Sequence, residues 1–177
     1  LGGVAVIWNL ADGQPVQTFQ GHRDILYDAE LSPDGKLLAT SSYDREIQLW
    51  DAATGQPLRS LSGHNGAVYD VAFSPDSQFL ASASADDTCK VWRTSDGKRM
   101  DTLGQPLKEA YTVAFSPDGK QIVAGGADNN LRVWKFISRD KPRIKPMLIA
   151  CCAQEGPIVR RAFTADGPRL VSVAEDR

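Results

Sequence analysis

Short apolar runs alternate with clusters of Pro, Asp, Gly and Ser along the whole of this chain. Ala67–Ser74 (AVYDVAFS) reads as a strand, and Pro75-Asp76-Ser77 turns it. Phe79–Ser84 (FLASAS), the turn Asp86-Asp87, Thr88–Arg93 (TCKVWR), the turn Ser95-Asp96-Gly97 and Arg99–Leu103 complete a set of four. Strands this short, joined by such tight turns, with no helical spacing of apolar positions, predict an antiparallel meander. The set recurs over Ile25–Leu61 and again over Ala110–Ala150. Its beat is regular: Trp8, Trp50, Trp92 and Trp134 are each 42 residues apart, as are Asp44, Asp86 and Asp128, and the SPD tripeptides at Ser32, Ser74 and Ser116. The chain is a repeat protein.

One four-stranded meander cannot bury both of its faces. Val71, Phe73, Leu80, Ala81 and Val91 lie on successive strands of one sheet, so each sheet must stack on its neighbours. Radial stacking removes the long free edges that a row of sheets would leave, and parallel solenoids repeat at shorter intervals. The expected fold is all-β: a β-propeller of four-stranded antiparallel blades, with about four blades' worth of material over 1–177.

The succession Gly21-His22, Ser32-Pro33-Asp34-Gly35, Leu38-Ala39, Ser42, Asp44 and Leu49-Trp50-Asp51 resembles the WD-repeat family. It returns as Gly63-His64, Ser74-Pro75-Asp76, Leu80-Ala81-Ser82, Ser84, Asp86 and Val91-Trp92, and as Ser116-Pro117-Asp118-Gly119, Asp128 and Val133-Trp134. A fourth, frayed copy has Thr164-Ala165-Asp166-Gly167, Leu170-Val171-Ser172 and Asp176. The resemblance covers nearly the whole chain. It implies a propeller that serves as a platform for protein partners, usually without catalysis.

The two ends are complementary. Residues 157–177 carry the first two strands of a blade (Ile158–Phe163, Arg169–Val173), and residues 1–20 carry the last two (Val4–Trp8, Pro15–Phe19). One blade is therefore expected to be split between them. The surplus over four periods is an insertion at about 137–147, with Arg139, Lys141, Arg143 and Lys145 among its residues. Three assemblies are open: a four-bladed ring, two chains joined head to tail as eight blades, or an arc of a larger propeller. The first residue is Leu1, so a processed product or a piece of a longer chain is equally open.

By the resemblance, His22, Ser42, Asp44 and Trp50, the set His64, Ser84, Asp86 and Trp92, and Asp128 with Trp134 sit at the family's structural hydrogen-bond positions. A neutral histidine can donate to a buried Asp through one ring nitrogen and hold a hydroxyl through the other. Ser, His and Asp also make hydrolytic triads, but a constellation repeated once per blade, with no GxSxG, is architecture. Pro106 and Gln154 replace the histidine in the later copies and Gly126 replaces the serine, which should loosen those loops.

Tyr27, Tyr69 and Tyr111 keep the 42-residue beat where the innermost strand reaches the Gly-His face. Side chains there, and two residues earlier at Ile25 and Glu109, ring the central opening in the resembled family and touch partners; Tyr43 flanks the same rim. Tyrosine is stiff, large and polar at its tip, which suits an anchor. Loop packing is the plainer role for each tyrosine taken singly.

Composition narrows the rest. A net charge of -2 supplies no field for nucleic acid, and no aromatic interleaves the basic insertion, whose plain role is an exposed, proline-stiffened loop. Pro142 and Pro146 should end any strand there. No apolar stretch is long enough to span a membrane, and residues at the start of the given sequence lack the basic, apolar and cleavage regions expected of a signal peptide. Three cysteines, two of them adjacent, fit a reducing, cytoplasmic compartment better than a disulfide framework. No metal or cofactor motif appears. The function expected is a non-catalytic scaffold for a protein or peptide, with self-association or assembly with further blades possible in principle. The alternatives are a regulatory or sensing propeller domain of a larger enzyme and, less favoured, a hydrolase using the central opening.

Overall fold

The computed structural model describes residues 2–104, 108–136, 144–151, 155–164 and 169–175. Pro106, Gln154, Asp176 and most of the basic insertion lie outside them. The chain opens with a two-stranded sheet, β1 (Val4–Trp8) and β2 (Pro15–Gln20). Three four-stranded antiparallel blades follow: β3 (Leu26–Leu31), β4 (Leu37–Ser42), β5 (Ile47–Asp51) and β6 (Pro57–Leu61); β7 (Val68–Phe73), β8 (Phe79–Ser84), β9 (Thr88–Arg93) and β10 (Arg99–Gly104); β11 (Ala110–Phe115), β12 (Gln121–Gly126), β13 (Leu131–Phe136) and β14 (Ile144–Cys151). A second two-stranded sheet, β15 (Ile158–Phe163) and β16 (Leu170–Ala174), closes the order. Strands follow chain order within each blade, as tight hairpin turns require. Among the described residues no sheet closes into a barrel, and the two end sheets are separate from one another: the architecture is a propeller arc.

The core lies between blades. All six residues of β8 are buried because each of its faces has a neighbour. Phe79, Ala81 and Ala83 pack with third-blade Val113, Ile122 and Phe136, while Leu80 joins first-blade Leu49 and Leu61. Phe19 fills the equivalent gap between the opening sheet and the first blade, edge-on to Trp50 at 5.9 Å between ring centroids. The first strands β3, β7, β11 and β15 stand side by side in that order, and residues of all four line one small cavity.

Two local features differ from the sequence-based expectation. Pro146 does not end a strand: it lies inside β14, opposite Trp134. β14 is the outermost strand of its sheet, the position in a sheet where a proline is tolerated. In each blade the first strand also slips register by one residue, between Leu26 and Asp28, Val68 and Asp70, Ala110 and Thr112, and Ile158 and Arg160. The extra residue is Tyr27, Tyr69, Tyr111 and Val159 in turn.

Candidate functional site

The first and second blades each carry a buried polar chain across the Gly-His loop. In the second, His64 Nδ1 lies 2.8 Å from Asp86 Oδ2, and His64 Nε2 lies 2.7 Å from the Ser82 hydroxyl. The Trp92 indole N–H donates to the same hydroxyl at 2.9 Å. A neutral imidazole protonated on Nδ1 satisfies every partner: indole to hydroxyl, hydroxyl to Nε2, Nδ1–H to carboxylate. Burial pushes the His64 pKa down, which favours that neutral form. Burial opposes ionisation of Asp86, but bonds from His64, Thr88 and the Asn65 N–H outweigh it and hold the carboxyl well below its usual range. The first blade repeats the chain: His22 to Asp44 at 2.9 Å, His22 to Thr40 at 2.8 Å, and Trp50 to Thr40 at 2.8 Å. Gly21 precedes the histidine because a Cβ there would stand 2.7 Å from the Trp50 ring.

The hydroxyl at the hub is thus Thr40 or Ser82, not Ser42 or Ser84. The tryptophan starts from the rung Leu38–Trp50, and its indole reaches one same-face step along β4, to residue 40. Residue 42 is a step too far and serves the turn instead. Ser42 and Ser84 accept the N–H of Asp44 and Asp86, each at 3.1 Å, and Ser84 donates to the Gly66 carbonyl.

In the third blade Ala124 and Gly126 stand where hydroxyls stood. There Arg132 grips Asp128 through two bonds, at 3.1 and 2.6 Å, and Trp134 stays buried. The same position holds Lys90 in the second blade, 3.5 Å from Asp86 and 2.7 Å from the Thr88 hydroxyl. This second cationic clamp escaped the sequence reading. The 42-residue spacing of Lys90 and Arg132, each four residues after a network Asp, is the signal that could have found it.

Ser82, His64 and Asp86 have the connectivity of a hydrolytic triad. The chemistry is blocked by placement: Ser82 is 0% exposed, and its oxygen already accepts the Trp92 N–H. No electrophile can approach it. Among the described residues, no group of three His, Cys, Asp or Glu could hold a metal ion. Among the same residues no helix is long and apolar enough to cross a membrane.

The tyrosines make a continuous aromatic arc. Tyr43 and Tyr27 lie 6.4 Å apart by ring centroids, Tyr27 and Tyr69 5.0 Å, and Tyr69 and Tyr111 5.5 Å, the last two pairs edge-to-face. Tyr27, Tyr43 and Ile25 are exposed, while Tyr69, Tyr111 and Glu109 are half-buried. Each ladder tyrosine is the extra residue of its register slip, and such a bulge re-aims a side chain away from the sheet. Burial, then the charge of Glu109, raises the Tyr69 pKa; burial, then its hydrogen bond to Glu109, raises that of Tyr111.

A small cavity of about 120 Å³ lies under the arc, lined by the three ladder tyrosines with Asp28, Asp70 and Arg161 among others. Its carboxylates Asp28 and Asp70, with Glu30 further along β3, clip one blade to the next. Asp28 accepts the Val71 N–H at 3.2 Å and Glu30 the Phe73 N–H at 2.8 Å. Asp70 accepts the Val113 N–H and the Thr112 hydroxyl, both at 2.8 Å, and pairs with Arg161 at 2.9 Å. Burial raises Glu30 to about 7 and raises Asp70 as well, the Arg161 charge only partly offsetting the latter. The clips escaped the sequence reading too, although Asp28 and Asp70 keep the 42-residue interval.

Residues 13–51, 55–93 and 97–135 each match the family model described as WD domain, G-beta repeat. A comparison with curated proteins gives no match.

Proposed function

The chain belongs to the WD40 family, and on that premise we propose that it is a non-catalytic scaffold that docks a protein or peptide on its tyrosine rim. Folds of this family generally serve as scaffolds for protein interactions. The observation that carries the finer reading is the arc Tyr43–Tyr27–Tyr69–Tyr111. Four neighbouring rings, three of them in repeat register at bulges, form one stiff amphipathic surface. Ile25 extends the apolar area and Glu109 supplies an acceptor beside it. The polar networks beneath keep the loops in place and offer no accessible nucleophile. A protein or peptide partner and a reducing, cytoplasmic setting belong to the same proposal; a nucleic-acid or membrane partner does not.

The test is selection of binding peptides from a random display library on the immobilised chain. Selected peptides should lose at least tenfold in affinity for a variant carrying Tyr27→Ala, Tyr69→Ala and Tyr111→Ala together, with its circular dichroism unchanged. Undiminished binding of every selected peptide would remove the rim from the function.

A further inference from the structure

A cleft opens between the first and second blades, at the ends of the strands away from the Gly-His loops. Both of its walls are complete blades, and neither end sheet contributes a residue to it. Its volume is about 590 Å³, within the span of natural ligand pockets. Lys36 and Leu37 line it from the first blade, and Gln78, Phe79, Arg93 and Thr94 from the second.

Between the second and third blades the same place, one repeat later, keeps only about 170 Å³. Phe136 fills it. Its ring stands edge-on to Phe79 at 5.0 Å and to Phe115 at 5.8 Å between centroids, and it is 8% exposed. Thr94 is the residue 42 positions earlier. The two backbones agree: the Thr94 N–H donates to the Gln78 carbonyl at 3.0 Å, and the Phe136 N–H to the Lys120 carbonyl at 2.8 Å. Only the side chain differs. The Thr94 hydroxyl turns into its own blade, between the Ser77 and Gln78 carbonyls at 2.9 and 3.1 Å, and supplies no ring to the cleft. Leu37 stands where Phe79 stands in the next cleft, so the facing wall is apolar in both.

Charge at the rim adds a second preference. Asp34 and Asp76 line the cleft too, but each already accepts bonds inside its own turn. Asp34 takes the Ser32 hydroxyl and the Lys36 N–H, and Asp76 the Ser74 hydroxyl and the Gln78 N–H. The cations are less committed. Lys36 lies 3.8 Å from Asp34 with its side chain 81% exposed. One Arg93 nitrogen pairs with Asp96 at 3.1 Å, while the other has the Met100 sulfur, a weak acceptor, at 3.4 Å.

We propose that this cleft is a second docking site, which takes an aromatic side chain from a peptide segment of a partner protein, with an acidic residue beside that ring set on Lys36 and Arg93. The ring completes between the first and second blades the packing that Phe136 makes between the second and third. A stiff flat ring is the shape that the blade spacing admits there, as Phe136 shows. A partner carboxylate gives Arg93 a charged acceptor in place of a thioether. The site is independent of what the tyrosine rim binds.

The test is NMR titration of the 177-residue chain with the blocked peptide Gly-Asp-Phe-Asp-Gly, against Gly-Asp-Ala-Asp-Gly and Gly-Lys-Phe-Lys-Gly. The first should shift the amide signals of Lys36, Leu37, Gln78, Thr94 and Ser95 saturably and bind at least fivefold more tightly than either control. Thr94→Phe, which builds the third-blade ring into the second blade, should abolish those shifts and raise the urea midpoint. Arg93→Gln should narrow the gap between the acidic and basic peptides to about twofold. Tyr27→Ala, Tyr69→Ala and Tyr111→Ala together should leave the titration unchanged, so the fate of this site is read apart from that of the rim. An alanine peptide that binds as tightly as the phenylalanine peptide overturns the proposal on the unmodified chain alone. So do the absence of any saturable shift, shifts confined to other residues, and undiminished binding to a folded Thr94→Phe chain.

Discussion

Removing the Ser82 hydroxyl should cost far more than removing that of Ser84, although the two serines lie two residues apart on β8. Ser82 Oγ joins two buried groups, accepting the Trp92 N–H at 2.9 Å and donating to His64 Nε2 at 2.7 Å. In Ser82→Ala both lose their partner where water cannot replace it. A buried polar group left unsatisfied costs about 1–3 kcal/mol, so the loss should reach about 2–5 kcal/mol. That is a large share of the roughly 5–15 kcal/mol that holds a domain folded. Ser84 Oγ also makes two bonds, but both are 3.1 Å long and only part-buried, so water can take them over. Ser84→Ala should cost about 1 kcal/mol. Urea denaturation followed by tryptophan fluorescence measures both from the shift in midpoint at constant slope. Ser82→Thr is the control, because Thr40 plays the hub in the first blade, and it should recover most of the loss. A Ser84→Ala cost equal to or above that of Ser82→Ala would refute the assignment of the hub.

The inter-blade carboxylates should make the fold less stable as pH rises. Glu30 is raised from 4.5 to about 7, so the folded chain holds its proton more tightly than the unfolded chain does. Its contribution is complete below about 4.5 and is lost as pH climbs to about 7. The denaturation midpoint should fall over that window, and Glu30→Gln, which keeps an acceptor for the Phe73 N–H, should flatten the curve and be the more stable protein at pH 8. Asp44, Asp86 and Asp128 act in the opposite sense at lower pH. Their carboxyls are held below the ordinary value, so their contribution disappears as pH falls through the acid range. Arg132→Gln should cost about 1.5–3 kcal/mol by breaking the two-bond grip on Asp128. Asp128→Asn added to it should cost little more, a coupling that a double-mutant denaturation cycle reads directly.

The 42-residue beat and the alternation of short apolar runs with turn residues were enough to place nearly every strand, because both are properties of neighbouring residues. Val4–Trp8, Phe79–Ser84, Thr88–Arg93 and Ile158–Phe163 fall where the pattern puts them. The stacking of sheets was legible for a similar reason: β8 is apolar on both faces, and only a neighbour on each side can bury it. Pro146 misled because the rule against proline in strands depends on whether the strand is an edge, and order within a sheet is not written locally.

The site was less legible, since its parts meet across strands and across blades. Trp50 chooses Thr40 over Ser42 by the reach of an indole from its rung. A one-residue register slip, absent from any motif, turns Tyr27, Tyr69 and Tyr111 outward. The bonds from Asp28 to Val71 and from Asp70 to Val113 exist only once the innermost strands stand side by side. Sequence by itself therefore determined the repeat, its strands and the kind of fold, through local periodicity. The hub hydroxyls, the aim of the tyrosines and the Arg132 clamp were decided by strand register and side-chain reach within a blade, and the inter-blade carboxylate clips by packing that brings groups about 42 residues apart into contact.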